Sequence, residues 1–370
     1  MKLKNFIALV LLSTFFITFS ITYRVEAETR IEEKTVVAVI NPSVGSLQGL
    51  QFLIDKKLLN IPSLQIIAIC YQKAENDWEA VKHYIENNET NIFSFEKING
   101  MISQNSLFRI NELSDSFKDI FSKTDGVIFL GGADFPPAIY GQKTSLLTNI
   151  NTPFRHYFEL SFLFHLLGGY QDTALTPLLE ANPNYTVTGF CLGMQSMNVA
   201  TGGSMYQDIP SDIYKLRYVE DVLDLDINQR HKNYWQNIYP DNQMIWANFH
   251  QIKSKANISI FDQSLWDYYP TPFVYSSHHQ AINKLGLNFN IVATSIDGKV
   301  IEIISHNKWK NVFGVQFHPE VPLLYMENGY KYKWHPNDTT PVSYYQFLKE
   351  NNSSAFHHKF WQKVSEILKK

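Results

Sequence analysis

Short, uninterrupted apolar runs rich in β-branched residues recur along this chain, at residues 35–40, 64–70, 126–130, 186–190, 291–294, 300–304 and 312–317. A run without polar alternation suits a strand covered on both faces. Helical patterns over residues 47–57, 78–87, 156–167 and 192–200 fall between several of them, so the first two thirds alternate β and α. The expected architecture is α/β, a doubly wound and mostly parallel sheet.

Two stretches break the rhythm, at residues 140–152 and 211–272, the second rich in Asp, Asn, Tyr and Trp without clear periodicity. They read as insertions or lids over the sheet. The tail beyond Glu320 is aromatic and polar, then turns amphipathic over residues 356–368, which predicts a closing helix. No internal repeat is present. One elaborated domain over residues 28–370 fits better than two.

At the N-terminus, Lys2 and Lys4 precede an apolar stretch over residues 6–23, followed by Val25-Glu26-Ala27. Residues 1–27 therefore read as a signal peptide cleaved before Glu28, with an uncleaved anchor as the alternative. Either way the body is expected to be exported, secreted or periplasmic, with no membrane attachment once the signal is removed. The two cysteines, Cys70 and Cys191, are too few for a disulfide scaffold. Cys70 ends an apolar run and reads as a core residue. With 32 Lys plus Arg against 35 Asp plus Glu and no run of one sign, the chain offers no basic stripe for nucleic acid.

Cys191 stands apart because the strand-like run 186–190 meets a helical pattern at this residue. Gly189-Phe190-Cys191-Leu192-Gly193 has the spacing of a nucleophile elbow, in which flanking glycines relieve crowding at a sharply turned residue. The following helix would turn its amides and dipole toward the sulfur, favouring the thiolate. The N–H of Leu192 would face the oxyanion of an attacked carbonyl. Far along the chain, the run 312–317 leads into His318-Pro319-Glu320. Residues two apart in an extended segment project to one side, so Glu320 can orient His318 as a base for the thiol.

Taken together, these segments resemble class I glutamine amidotransferase-like hydrolases. The nucleophile region, Gly189 to Gln195 with Asn198-Val199-Ala200-Thr201-Gly202-Gly203 and Tyr206-Gln207-Asp208-Ile209 behind it, is most similar to the γ-glutamyl hydrolase and γ-glutamyl-γ-aminobutyrate hydrolase branch. Gly314 to Glu320 resembles the His-Glu motif of the same group. The resemblance implies a flavodoxin-like three-layer sandwich and a triad of Cys191, His318 and Glu320. Gly126 to Asp134 resembles the oxyanion-side loop, implying a second oxyanion N–H near Gly132. Gln195 is the residue it suggests for holding the glutamyl group. Ser276-Ser277-His278-His279-Gln280 resembles a substrate-side segment, which makes Ser276 and His278 candidate binding residues; Tyr275 stands where Asn is usual, and Leu192 where one branch commonly has Arg.

The expected activity is hydrolysis of a γ-glutamyl amide through a γ-glutamyl thioester, releasing glutamate. Alternatives are a glutaminase-type amidotransferase subunit and a non-catalytic exported binding protein with the same pocket. The expected partner is a small γ-glutamyl substrate, with a homodimer left open. No cofactor is expected. Paired histidines at 278 and 279 raise metal binding, but no third ligand has suitable spacing, so no metal is expected.

Overall fold

In the computed structural model, alternate residues of β1 (Thr35–Ile40) enter two different cores, Val37 and Val39 on one face, Ala38 and Ile40 on the other. All four are fully buried, as a strand with helices on both sides requires. The structure describes residues 34–369 except 75–76, 242, 256–260 and 262, and residues 1–27, read as an export signal, lie outside them.

Chain order continues through β2 (Leu64–Tyr71), β3 (Phe93–Ile98), β4 (Gly126–Phe129), β5 (Thr186–Phe190), β6 (Ser204–Tyr206), β7 (Asn248–Ser254), β8 (Phe273–Ser276), β9 (Ala281–Lys284), β10 (Phe289–Ser295), β11 (Ile301–His306) and β12 (Val312–Val315). Ten of these strands form one sheet in the order β3-β2-β1-β4-β5-β12-β11-β10-β7-β8. The first six are mutually parallel and the remainder antiparallel. The reversal between the outward-running β1-β2-β3 and the β4-β5 side places a topological switch point beside β4, where open α/β sheets bind ligands at their strands' carboxyl ends.

One face is covered by helices Ser114–Lys123, Pro153–Leu167 and Leu192–Ala200, through residues such as Phe117, Phe158, Leu163 and Met197. The other is covered by Val44–Asp55, Trp78–Glu86 and the C-terminal helix Ser354–Leu368, through Leu50, Val81, Phe360 and Trp361. The sheet is thus the middle layer of a three-layer sandwich. Cys70 is buried within the second core, and no disulfide joins it to Cys191.

One expectation needs revision. The stretch 211–272 is more than a lid, because β7 lies within it and inserts into the main sheet between β10 and β8. The closing helix expected over residues 356–368 is present as Ser354–Leu368 and supplies part of the core. Among the described residues no helix is long and apolar enough to cross a membrane.

Candidate active site

β5 ends at Phe190, and the next residue, Cys191, adopts φ 52° and ψ −107° before the helix Leu192–Ala200 begins. A positive φ at a residue carrying a side chain is strained, and it persists where a sharp turn is held by its surroundings. Here the surroundings are close. A Cβ on Gly189 would lie 2.4 Å from the carbonyl carbon of Gly193, and one on Gly193 would lie 2.2 Å from the carbonyl oxygen of Phe129. The two flanking glycines are therefore a packing requirement of the elbow. The Cys191 N–H donates to the Val315 carbonyl at 2.8 Å, fixing the turn to β12.

β12 continues to His318, whose backbone N–H donates to the Tyr275 carbonyl at 3.0 Å. Its Nδ1 lies 2.8 Å from Glu320 Oε1, and its Nε2 lies 3.2 Å from Ser277 Oγ. Burial would depress the imidazole pKa, but interaction with Cys191 and Glu320, each accepting a hydrogen bond from the ring, holds it well above its ordinary value. With Nδ1 tied to a carboxylate, Nε2 is the nitrogen available for proton exchange.

Gly131 and Gly132 follow β4 and pass beside this pair. A Cβ on Gly131 would stand 2.8 Å from His318 Cε1 and 3.6 Å from Cys191 Cβ, and one on Gly132 would stand 2.8 Å from Leu192 Cδ2 and 2.6 Å from Arg155 Nη1. Arg155 holds the segment by donating from Nη2 to the Gly131 carbonyl at 2.9 Å. Its Nε pairs with the fully buried Glu159 at 2.7 Å, and Glu159 also accepts from Asn41 Nδ2 at 3.1 Å. The ends of β1 and β4 are thereby linked beside the thiol.

A pocket of about 130 Å³ opens here, lined by Gly132, Asp134, Cys191, Gln195, Ser277, His278, His279, Gln280 and His318. Gln195 Nε2 donates to Gln316 Oε1 at 3.2 Å, so its amide is already oriented within the wall. His279 sits between two carboxylates, with Nε2 3.0 Å from Asp134 Oδ2 and Nδ1 3.2 Å from Asp208 Oδ1. Although burial opposes its charge, those hydrogen bonds raise its pKa to about 9, so at neutral pH it is a cation.

Of the residues named from sequence, Cys191, His318, Gly132, Gln195 and His278 come together at this pocket, and Glu320 stands behind His318. Leu192 follows Cys191 at the head of the helix. Ser276 faces elsewhere: it is fully buried and donates to the His231 carbonyl at 2.8 Å, while its neighbour Ser277 lines the pocket. Alternation along an extended segment explains the exchange, because adjacent side chains point to opposite sides. Sequence reasoning assigned no role to Asp134, Asp208, Ser277 or Arg155, although all but Arg155 lie inside motifs that carried the resemblance.

His278 has a second set of neighbours. It meets His231, from the 211–272 stretch, His250 on β7 and Glu302 on β11 in a fully buried cluster. Spacing along the chain could not reveal this group, since its members are brought together by the antiparallel half of the sheet.

Fold and site together define a class I glutamine amidotransferase-like protein with a cysteine, Cys191, at the sharp turn between strand and helix. The chain belongs to the Peptidase C26 family, which matches residues 65–320. It is similar to "Putative glutamine amidotransferase-like protein YvdE" of Lactococcus lactis, 27% identical over 56% of this chain and 70% of that protein. A second relative, "Putative glutamine amidotransferase-like protein RP404" of Rickettsia prowazekii, is 29% identical over 56% of this chain and 74% of its own length. Protein NtpR of Enterococcus hirae is 27% identical over 53% of this chain and 67% of its length. Family membership makes the chain a cysteine-type hydrolase or amidotransferase-like enzyme.

Proposed function

We propose that this protein is an exported γ-glutamyl hydrolase that uses Cys191 as nucleophile, His318 as acid and base, and Glu320 to orient His318. The observation that carries the reading is the position of His318, tied through Nδ1 to Glu320 and charge-coupled to Cys191 beside a small polar pocket. Export rests on the pattern of residues 1–27.

In this mechanism His318 takes the thiol proton and the sulfur attacks the γ-carbonyl carbon. The oxyanion is met by the N–H of Leu192 and an N–H near Gly132. Collapse breaks the C–N bond, and His318 returns its proton to the departing amine. Water then attacks the thioester with His318 again accepting a proton, the C–S bond breaks, and glutamate leaves as the thiol is restored. The pocket wall favours an amino-acid-like acyl group in one respect, since the acidic Asp134 that lines it suits an ammonium.

The test is glutamate release from glutamine, γ-glutamyl peptides, γ-glutamyl-γ-aminobutyrate and polyglutamylated folate, with Cys191→Ala as control. Cys191-dependent release from one class supports the reading and names the leaving group. Release from none of them overturns the γ-glutamyl assignment.

A further inference from the structure

We propose that His231, His278 and Glu302 form a binding site for a divalent transition-metal ion of the zinc type, which fastens the 211–272 stretch to the loop lining the active-site pocket.

One ligand atom from each of the three residues falls within 4.8 Å of the others, and all three side chains are buried. Glu302 Oε1 is 3.4 Å from His231 Nδ1 and 4.0 Å from His278 Nε2. A tetrahedral ion with ligands at about 2.0–2.1 Å separates neighbouring ligand atoms by about 3.4 Å. The His231–Glu302 spacing already matches, the His278–Glu302 spacing needs a contraction of about 0.6 Å, and the two histidine nitrogens lie within 4.8 Å of each other.

Hydrogen bonding points the same way. His278 Nδ1 is engaged by the Gln280 carbonyl at 2.8 Å, which fixes a proton on that nitrogen and leaves Nε2 with its lone pair directed at the cluster. That nitrogen has no hydrogen-bond partner, nor has Glu302 Oε2, and His231 reaches the carboxylate only through the 3.4 Å contact of its Nδ1. An imidazole lone pair and a carboxylate facing one another in the interior repel unless a cation lies between them. A histidine whose second nitrogen is bonded to a backbone carbonyl is the arrangement that orients a metal ligand. His250 Nε2 lies 3.0 Å from Glu302 Oε1 and serves as an outer partner that orients the carboxylate.

The placement gives the ion a purpose. His231 lies in the 211–272 stretch, Glu302 in β11, and His278 between Ser277, which meets His318, and His279, which lines the pocket. Ser276 reinforces the junction through the His231 carbonyl. The role is structural; the ion takes no part in bond making.

Metal content of the tag-free full chain, purified without chelator and dialysed, tests the site by inductively coupled plasma mass spectrometry. Apoprotein is then titrated with Zn2+ and with Co2+, whose visible bands report tetrahedral nitrogen and oxygen ligation. About one equivalent per chain is expected, retained in Cys191→Ala and weakened roughly ten- to hundredfold or more in His231→Gln and Glu302→Gln. Chelation of the wild type should lower its Tm. Wild-type protein that neither contains nor takes up a stoichiometric ion overturns the proposal, whatever the folding of the variants. Binding lost in Cys191→Ala but kept in His231→Gln also overturns it, by assigning the metal to the thiol.

Discussion

Trp361, near the end of the chain, donates from its indole Nε1 to the carbonyl of Pro319 at 3.0 Å, the residue between His318 and Glu320. The same carbonyl accepts from Tyr325 Oη at 2.7 Å. The terminal helix therefore braces the segment on which base and carboxylate stand. Trp361→Phe keeps most of the buried ring and removes the donor, leaving Tyr325 as the remaining brace. A stability loss of about 1 kcal/mol is expected in urea unfolding, with a fall in kcat larger than the change in KM if bracing sets the His318 position.

Glu320→Gln removes the charge that helps hold the His318 pKa high. In the proposed mechanism protonated His318 delivers the proton to the leaving amine, so activity fails on the alkaline side as that proton is lost. The variant should move the alkaline limb of kcat/KM to lower pH and reduce its maximum by roughly 10²-fold, within the usual span of acid–base contributions. An unmoved limb would separate Glu320 from the base.

Gly131 and Gly193 separate activity from stability. Gly131→Ala places a methyl 2.8 Å from His318 Cε1, a side-chain atom that can swing away, so turnover should fall more than tenfold while Tm changes little. Gly193→Ala drives its methyl to 2.2 Å from the Phe129 backbone oxygen, which cannot swing away, so that variant should lose stability by several kcal/mol or fail to fold. Thermal melts and glutamate assays on both variants check the contrast.

Arg155→Leu strands the carboxylate of Glu159 in a fully buried position. Breaking such a pair costs about 3–5 kcal/mol, and much of that is recovered when both charges are removed. Denaturant midpoints should thus be lower for Arg155→Leu than for the Arg155→Leu, Glu159→Leu double variant. The double variant should remain slow, because the Gly131 carbonyl has lost its donor.

His279 makes stability depend on pH in a defined window. Its folded pKa, about 9, lies above the ordinary value of 6.5, so its contribution is complete below pH 6.5 and declines as pH rises through 9. Asp134, Asp208 and Lys232 are the charges facing it, Lys232 opposing the two acids. Between pH 6.5 and 9 the wild type should lose stability, by up to about 3 kcal/mol, that His279→Gln does not lose. Parallel denaturation series at the two pH values read the difference.

The strands of the parallel half were legible because burial on both faces leaves uninterrupted apolar runs, as in 35–40 and 186–190. β3 was missed since its sequence, Phe93-Ser-Phe-Glu-Lys-Ile98, mixes charge into an edge strand. β7 was missed for a related reason: Asn-Phe-His-Gln-Ile-Lys-Ser carries polar residues such as His250, whose burial is satisfied by a partner, Glu302, 52 residues away. Cys191 and the His318–Glu320 pair could be read because each is a local pattern at the end of a strand. The environment of His279 and the His231–His278–Glu302 cluster could not, since every member comes from a different segment and only the folded sheet brings them together.

The central claim is that Cys191 carries the acyl group as a thioester. Rapid acid quench of enzyme turning over its preferred γ-glutamyl substrate, followed by peptide mass spectrometry, tests it directly. A mass increase of one glutamyl group on the peptide containing Cys191, absent in Cys191→Ser and released by hydroxylamine, is the result predicted. Undiminished turnover by Cys191→Ser, or an adduct on another residue, would contradict it.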